Sequence, residues 1–522
     1  MNEISILIGG KAGDGVKQAG NTLSRLLNRL GYKIFFYDDY PSLIRGGHNF
    51  SIIRASKDKI LCHEETVDVI VALNQEAIDK NKERLNQGGI IVFDSNQADA
   101  EGLGVPISDI VKSHKGIPIM RNVAALGALT RVLGIPWESF EEIIKSTVKK
   151  GVETNLLIAK ASFDSIKEEY IKIEPTGESP CPILTGNEAL ALGAVRGGLD
   201  IYIAYPMTPA SSILHFLAQH GPNLGVTTIH PESEIGAALM ALGSAYAGNR
   251  AMTGSSGGGF ALMTEAVSLA GQSEIPIVFV ECQRAGPSTG VPTYTMQADL
   301  FFVLHAGHGE FPRIVVAPGD AEEVYEWAYN ALNAAWSFQV PVFILSDKHL
   351  SESGFSFSEP KDLFDWPAPR LWDRSSEYKR YEVNDDGISP MAFPGQKNAV
   401  VKVTSYEHDE YGITTEESEA ISCMQEKRLE KSRAIRETMK GLECVKSYGE
   451  SDSDVCVFFW GSTKGAAVEA CQCLGLRAIQ PIVMEPFPLS EIKALLKDVK
   501  KSFVLRQTPQ ANLPVSSNHM GF

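Results

Sequence analysis

The sequence contains few cysteines, no long apolar run and no basic cluster, and each absence excludes a class of protein. Eight cysteines in 522 residues are too sparse for a disulfide framework. No apolar run approaches the ~18 residues of a membrane-spanning helix. The formal net charge is −16, which argues against a nucleic-acid surface. The N-terminal MNEISILIGG lacks the basic region of a signal peptide, so we expect a cytoplasmic protein that binds neither nucleic acid nor membrane.

Metal-binding motifs are also missing or incomplete. No C-x-x-C set occurs, so we expect no iron–sulfur cluster in this chain. Gly13-Asp-Gly15 resembles the start of a motif for Mg²⁺ and a diphosphate, but Asn49 lies too far along the chain to complete it. The run EHDE at 407–410 carries ligand-type side chains, yet consecutive loop residues rarely converge on one ion. We therefore predict no metal site and interpret 407–410 as a solvated loop.

Alternating strand and helix patterns predict an α/β protein with three doubly wound units. The first unit, residues 1–174, includes the strands ISILIGG, KIFFYDD, VDVIVAL and GIIVFD in a mainly parallel sheet. TGESPCP is typical of a linker, and a second unit follows at 183–352. We expect an irregular connector with the charged helix EKRLEKSRAIRETMKGL at 353–447, and a third unit at 448–522.

A glycine-rich turn follows the first predicted strand. Gly9, Gly13 and Gly15 have a spacing seen in some dinucleotide-binding folds, where turn amides and a helix N-terminus hold phosphate. Asp38 ends the next strand, where an acceptor for a ribose hydroxyl would lie. A tight strand-to-helix corner also selects glycine without any ligand, and Asp38 is explained equally well as a strand-end cap. Nucleotide binding therefore stays open as an alternative.

The second unit concentrates unusual residues after four of its predicted strands. YPMT at 205–208, HPESE at 230–234, SSGG at 255–258 and ECQR at 281–284 each follow a strand or complete one. In open α/β sheets, ligands bind outside the carboxyl ends of the strands. The sequence therefore predicts a binding site at this edge.

Two features of that edge point to preorganised groups. Pro206 and Pro209 restrict the backbone on either side of Thr208, so we expect its hydroxyl to point in one direction. Glu234 lies in the first turn of an apolar helix, and Glu232 lies just before it. From these residues alone, helix capping is the more ordinary explanation for either acid.

The chain resembles the 2-oxoacid:ferredoxin (acceptor) oxidoreductases, specifically fused gamma-plus-alpha chains of the 2-oxoglutarate synthase type. The resemblance is carried by GGKAGDGV, YPSLIRGGHN, YPMTPAS, ESEIGA, QRAGPSTGVPT, GISPMAFPG, EHDEYGITTE and FFWGSTKG. These stretches span nearly the whole chain. YPMTP and QRAGPSTG are highly specific, whereas GGKAGDG alone is not.

The resemblance implies a gamma-type domain, a thiamine-pyrimidine-binding domain and a transketolase C-terminal-like domain. It implies oxidative decarboxylation of a 2-oxoacid, with 2-oxoglutarate favoured, to acyl-CoA and CO₂. Thiamine diphosphate would be the cofactor, coenzyme A the co-substrate and ferredoxin the electron acceptor. A separate beta subunit would hold the diphosphate, Mg²⁺ and an iron–sulfur cluster in an (alpha-beta)₂ assembly, which agrees with the missing motifs.

The resemblance also implies roles for individual residues. Glu234 would bond the aminopyrimidine ring nitrogen and thereby activate the cofactor. Thr208 would donate to the keto oxygen or carboxylate of the substrate, and Arg284 would bind a substrate carboxylate. Ser288 and Thr289 would assist in substrate binding. The remaining cofactor contacts are expected from Tyr205, Pro206, Ser255, Ser256 and Gly257.

Two departures and two alternatives remain. Met207 replaces an aliphatic Ile common in the family, and LRQTPQANLPVSSNHMGF lacks the expected acidic, Asn-containing ending. A thiamine-dependent subunit without electron transfer is one alternative, against which QRAGPSTG argues. A noncatalytic assembly subunit with a nucleotide at the N-terminal turn is the other. The sequence leaves open which 2-oxoacid and which acceptor are used.

Overall fold

The computed structural model describes residues 2–42 and 47–508. The chain divides into two compact units, Met1–Leu184 with Glu352–Ser358 and Thr185–Ser351 with Glu359–Phe522. Within the described ranges, no helix combines the length and apolar character needed to cross a bilayer. Part of YPSLIRGGHN (43–46) and most of the divergent C-terminal stretch (509–522) lie outside the described residues.

Strands and helices alternate along most of the described chain. The strands are β1 (Glu3–Lys11), β2 (Lys33–Asp39), β3 (His48–Ser56), β4 (Val67–Ala72), β5 (Leu85–Asp94), β6 (Leu103–Val105), β7 (Ile183–Thr185), β8 (Ile201–Ile203), β9 (Thr227–Ile229), β10 (Ala251–Ser255), β11 (Ile277–Gln283), β12 (Ile314–Val316), β13 (Pro341–Asp347), β14 (Gly354–Ser356), β15 (Val445–Gly449), β16 (Val455–Phe459), β17 (Arg477–Pro481), β18 (Val483–Glu485) and β19 (Lys501–Leu505). The helices are α1 (Val16–Arg29), α2 (Gln75–Asn81), α3 (Ile107–Ser113), α4 (Arg121–Val132), α5 (Trp137–Thr147), α6 (Val152–Ser165), α7 (Gly186–Arg196), α8 (Ser211–Leu224), α9 (Glu234–Tyr246), α10 (Gly257–Ser273), α11 (Leu300–Leu304), α12 (Ala321–Phe338), α13 (Lys348–Glu352), α14 (Ser418–Met439), α15 (Lys464–Leu474) and α16 (Leu489–Leu495). The strands form three sheets, which confirms the predicted α/β class.

The first unit is built on an eight-stranded sheet of order β6-β5-β4-β1-β3-β2-β14-β7. β1 is parallel to β4 but antiparallel to β3, and β3 is antiparallel to β2. The sheet is therefore mixed rather than mainly parallel. The difference comes from β3, which is not among the strands predicted above and which begins at His48, near the end of YPSLIRGGHN.

The glycine-rich turn lacks the arrangement that dinucleotide binding requires. The Asp14 carboxylate accepts the Lys11 amide at 3.1 Å, which places an anion at the turn where a phosphate would lie. β3 separates β1 from β2, whereas dinucleotide folds place the strand with the ribose-binding acid beside the first strand. Asp38 is buried and accepts a hydrogen bond from Ser51 on β3. These contacts explain Asp38 without a ligand.

The second unit contains a seven-stranded sheet of order β18-β12-β13-β11-β10-β8-β9. All pairs are parallel except the one between β18 and β12. β11 and β13 are buried along their whole length, as near-continuous apolar strands in a parallel sheet should be. β18 comes from the segment predicted as the third α/β unit but completes this sheet instead.

The remaining strands form a four-stranded sheet of order β15-β17-β16-β19. Lys464, in the motif FFWGSTKG, opens α15 and is buried between the carboxylates of Asp320 and Glu323 at α12. A buried ammonium needs such partners because it loses its hydration. These ion pairs join α15, which packs on the four-stranded sheet, to α12, which packs on the seven-stranded sheet.

The connector packs more tightly than its sequence indicates. α14 begins at Ser418, earlier than the charged pattern predicts, and buries Lys427 and Lys431 against Glu274. The interpretation of 407–410 as solvated is wrong for its first residues. His408 is fully buried against Tyr381, with ring centroids 3.8 Å apart, and Glu407 pairs with Arg428 of α14.

Candidate active site

The candidate site lies where the order of the seven-stranded sheet reverses. The chain leaves β8 for its neighbour β9 at the sheet edge and then crosses back to β10 on the other side of β8. Such a switch point opens a crevice at the carboxyl ends of the strands. The predicted stretches YPMT, HPESE, SSGG and ECQR lie at the ends of the adjacent strands β8, β9, β10 and β11. The predicted convergence at one edge is therefore present.

The corner after β8 is held by hydrogen bonds from two sides. Arg284 Nη1 donates to the backbone carbonyl of Thr208 at 2.7 Å. Asn187 Nδ2, from α7, donates to the carbonyl of Pro209 at 2.9 Å. Thr208 and Arg284 are thus adjacent at the predicted sheet edge. The bond between them uses the Thr208 carbonyl, and the hydroxyl predicted to donate to the substrate takes no part in it. Arg284 Nε is buried and has no partner among the described atoms.

Glu234 is the first residue of α9 and is not its N-cap. Ser233 is the N-cap, and its hydroxyl accepts the Gly236 amide at 3.2 Å. The interpretation of Glu232 as the cap is therefore wrong, because Ser233 already accepts the amide that a cap must satisfy. Glu234 is 5% exposed, and its Oε1 is buried without a partner among the described residues.

The N-terminus of α10 lies against Glu234. A methyl group at Gly259 would lie 2.1 Å from Ser255 Oγ and 2.7 Å from Glu234 Oε1, so only glycine allows this approach. Ser256 is the N-cap of α10, and its hydroxyl is buried without a described partner. Ser255 Oγ lies 3.7 Å from the sulfur of Met207. Glu234 and the serines predicted to bind cofactor therefore converge at one helix terminus.

The loop after Arg284 forms one wall of the site. Val291 donates its amide to the Ala285 carbonyl at 2.8 Å and closes a tight turn that exposes Ser288 and Thr289. The Ser288 carbonyl lies 3.9 Å from the position of a methyl group at Gly258 in α10. Ser288 is thus brought to the site, whereas Thr289 lies on its exposed rim.

Tyr205 also lies at the rim, as the first residue of the YPMT corner. Its ring packs edge-on against His230 with centroids 5.6 Å apart. Pro206 follows as a half-buried part of the same corner. Tyr205 and Pro206 therefore form an outer wall of the site and do not belong to the buried polar cluster around Glu234.

Sequence reasoning assigned no role to the acids beneath this edge. Glu281 is fully buried, and burial first, then Asp299 and Asp347, raise its pKa well above the usual value. Burial also raises the pKa of Asp299 and of Asp347. The available signal was an acidic residue within the otherwise apolar strand IVFVECQ. The proximity of Asp299 and Asp347 has no local signal.

The polar groups present fit part of a cofactor site. A buried carboxylate with a free oxygen, beside a glycine that admits close approach, suits a hydrogen bond to a heteroaromatic nitrogen. Throughout residues 2–42 and 47–508, no cluster of His, Cys, Asp and Glu has an arrangement for a metal ion. Glu234 could therefore contact a heteroaromatic ring at this edge, and Arg284 could contact a carboxylate.

Comparisons with known proteins find similarity along nearly the whole chain. A family model described as pyruvate flavodoxin/ferredoxin oxidoreductase, thiamine diphosphate-binding, matches residues 192–427, and one described as pyruvate ferredoxin/flavodoxin oxidoreductase matches residues 5–165. The chain is 32% identical to the alpha subunit of 2-oxoacid:ferredoxin oxidoreductase 2 from Aeropyrum pernix, over 97% of this chain and 91% of that protein. It is 28% identical to the 2-oxoglutarate oxidoreductase subunit KorA from Mycobacterium tuberculosis, over 98% and 86%.

A solved structure is similar over the same extent. The 2-oxoglutarate:ferredoxin oxidoreductase from Magnetococcus marinus, determined with 2-oxoglutarate, coenzyme A and succinyl-CoA bound, superposes with a TM-score of 0.89. The two chains are 33% identical, and the match covers 97% of this chain and 92% of that one.

Proposed function

The chain belongs to the family of 2-oxoacid:ferredoxin oxidoreductase alpha subunits, and from this premise we propose that it supplies the pyrimidine-binding and substrate-binding half of an active site that oxidatively decarboxylates 2-oxoglutarate. The products would be succinyl-CoA, CO₂ and reduced ferredoxin. The relatives named for 2-oxoglutarate support this choice of substrate.

The observation that carries the proposal is the free carboxylate oxygen of Glu234. Thiamine diphosphate, when bound, supplies the nucleophilic carbon that attacks a 2-oxoacid and stabilises the charge left by CO₂. Glu234 Oε1 would share a proton with the pyrimidine ring nitrogen, which raises the basicity of the exocyclic amine. Ser233 caps α9, and no hydrogen bond within residues 2–42 and 47–508 competes for this oxygen. Ser255, Ser256 and Gly257 would line the same ring, with Tyr205 and Pro206 outside it.

The substrate would be held by Arg284 and the corner after β8. Arg284 Nη1 is fixed on the Thr208 carbonyl, which directs the rest of the guanidinium. Nε is buried and has no hydrogen-bond partner among the described residues, so it would donate to the substrate carboxylate. The Thr208 hydroxyl would donate to the keto oxygen or the carboxylate, and Ser288 and Thr289 would contact the substrate from the rim.

A beta subunit would complete the site by holding the diphosphate, Mg²⁺ and an iron–sulfur cluster. Large apolar side chains are exposed on the helices that begin at the site: Ile235 is 49% exposed, Leu239 41% and Leu262 52%. α9 and α10, which carry them, pack against each other. Exposed apolar patches of this kind are typical of protein interfaces, and we assign this face to the beta subunit of an (alpha-beta)₂ assembly. None of the eight cysteines, all of which lie within the described residues, forms a disulfide, which suits a cytoplasmic enzyme.

The test is reconstitution. The chain is co-expressed with a beta-type partner, and the complex is assayed with 2-oxoglutarate, pyruvate, a branched-chain 2-oxoacid and an aryl pyruvate, each with coenzyme A and ferredoxin. We expect 2-oxoglutarate to have the highest kcat/KM and turnover to require coenzyme A. A preference for another 2-oxoacid would contradict the substrate assignment. A complex that turns over none of them would contradict the function.

A further inference from the structure

Glu281 has an environment that an ordinary acidic side chain does not tolerate. It is fully buried, and neither carboxyl oxygen has a hydrogen-bond partner among the described residues. An ionised carboxylate in such a place is strongly disfavoured, and buried polar groups are normally bonded. The residue is not needed to fill the core, since Ile277 and Phe279 on the same strand do so with apolar side chains.

Strand geometry places Glu281 on the site's side of the sheet. Ile277 and Phe279 belong to the core cluster formed with Ala237 of α9 and Phe260 of α10. Side chains two residues apart share a face of a strand, so Glu281 also faces α9 and α10. Its partner in register on β10 is Ser255, whose hydroxyl borders Glu234 at the N-terminus of α10. Glu281 therefore lies beneath the convergent polar groups.

The charged groups around Glu281 are mostly acidic. Asp299 comes from the segment before α11 and Asp347 from the end of β13, and both raise the pKa of Glu281 after burial itself. Arg284, three residues further along, is the cation that acts on Glu281. A further acid, Glu234, lies at the start of α9, while β10 presents Ser255 in register with Glu281. An ionised Glu281 would be drawn to Arg284 and repelled by the two aspartates.

We propose that Glu281 is a positioning residue which must be uncharged for Arg284 to bind a substrate carboxylate, so that its ionisation at alkaline pH weakens substrate binding. The inference rests on the function proposed above. A neutral Glu281 leaves the guanidinium without an internal counter-ion, and Nη1 is already committed to Thr208. An ionised Glu281 competes with the substrate for the same cation. The carboxyl groups of 2-oxoacids stay ionised across neutral and alkaline pH, so the substrate adds no titration of its own.

The test measures kcat and KM for 2-oxoglutarate against pH on the assembled enzyme. In the wild type, KM rises about tenfold per pH unit once Glu281 ionises, while kcat stays constant, because a single proton controls binding. Glu281→Gln, which keeps the shape and is always neutral, keeps a KM that does not change with pH. Glu232→Gln is the control: it removes an exposed acid just before α9, and its KM should still rise at alkaline pH.

A second measurement compares the infrared spectra of the wild type and Glu281→Gln, because Asp299 and Asp347 are also acids whose pKa is raised by burial. At neutral pH the wild type contains a carbonyl band of a protonated carboxyl that Glu281→Gln lacks, and this band disappears at alkaline pH in step with the rise in KM. A flat KM in the wild type, an unchanged alkaline rise in Glu281→Gln, or the absence of the band would each overturn the proposal. A complex that converts no 2-oxoacid at all fails the proposed function instead, so the two failures are distinguishable.

Discussion

Glu234 differs from an ordinary acid at a helix start because its neighbour performs the capping. Ser233 satisfies the Gly236 amide, and the close approach of Gly259 keeps Glu234 Oε1 buried. The side chain is therefore available for chemistry rather than for the stability of α9.

Glu234→Gln tests whether Glu234 serves catalysis and not the stability of α9. The amide keeps the size but weakens the bond to a ring nitrogen, so we expect kcat of the assembled enzyme to fall by roughly 10²–10⁴. The melting temperature should stay near that of the wild type. Glu232→Gln is the matched control and should keep full activity. Near-normal turnover of Glu234→Gln would remove Glu234 from the reaction.

Arg284 donates to the corner after β8, and we propose that it also binds the substrate. Arg284→Ala leaves a substrate carboxylate without a partner, so we expect a loss of about 2–5 kcal/mol of substrate interaction, measured as kcat/KM. Arg284→Lys should recover only part of it, since an ammonium cannot donate to Thr208 and a carboxylate in the same fork. Arg131→Ala, which removes a partly exposed arginine in the first unit, serves as the control. Unchanged kcat/KM for every 2-oxoacid tested would exclude Arg284.

At the scale of elements, α14 is attached through buried charge. Glu274 follows α10, and both its carboxylate oxygens accept from Lys427 Nζ, at 2.8 and 2.9 Å, while Lys431 binds the same group. Arg380 donates to the Glu274 carbonyl at 2.7 Å. Burial alone would raise the pKa of Glu274, but the coulombic effect of Lys427, Lys431 and Arg380 outweighs it and holds that pKa far below its usual value.

Removing the charge of Glu274 should therefore loosen α14. Glu274→Gln leaves two buried ammonium groups without a counter-ion, and we expect the free energy of unfolding in urea to fall by about 3–5 kcal/mol. Glu437→Gln breaks an exposed pair with Lys440 on the same helix and should change stability little. Equal unfolding free energies for the wild type and Glu274→Gln would show that the cluster does not stabilise the connector.

The same cluster predicts an acid dependence. The folded-state pKa of Glu274 is depressed, so its stabilisation is present above the unfolded value of about 4.3 and is lost as pH falls below it. The free energy of unfolding of the wild type, measured in urea, should therefore decrease as the pH is lowered below that value. The Glu274→Gln variant should show a smaller loss, because it has no carboxylate at this position to protonate.

The whole molecule is expected to provide only half of an active site. Expressed without a partner, the chain should be colourless, contain no iron and bind thiamine diphosphate weakly, since it offers Glu234 but no complete motif for Mg²⁺ and the diphosphate. Iron analysis, visible absorbance and calorimetry with thiamine diphosphate and Mg²⁺ measure this directly. Addition of a beta-type partner should restore cofactor, iron and coenzyme A-dependent turnover together. Stoichiometric cofactor and viologen reduction by the chain alone would contradict the prediction.

The sequence by itself determined the local features. Apolar periodicity and strand-end residues located the parallel strands β8 to β13, and the same pattern placed Thr208, Glu234, Ser255 and Arg284 at one sheet edge. These predictions succeeded because the position at which a strand ends, and the residues that follow it, depend on residues that are close together in the sequence. The family resemblance, confirmed by the comparisons, added the chemistry that periodicity cannot supply.

Only the tertiary structure decided which distant segments meet. It inserts β3 between β1 and β2, which argues against the dinucleotide site, and it adds β18 to the seven-stranded sheet. It buries His408 against Tyr381 and brings Asp299 and Asp347 close to Glu281. Each of these outcomes depends on hydrogen bonds and charges between residues far apart in the chain, whose free energies carry no periodic signal in the sequence.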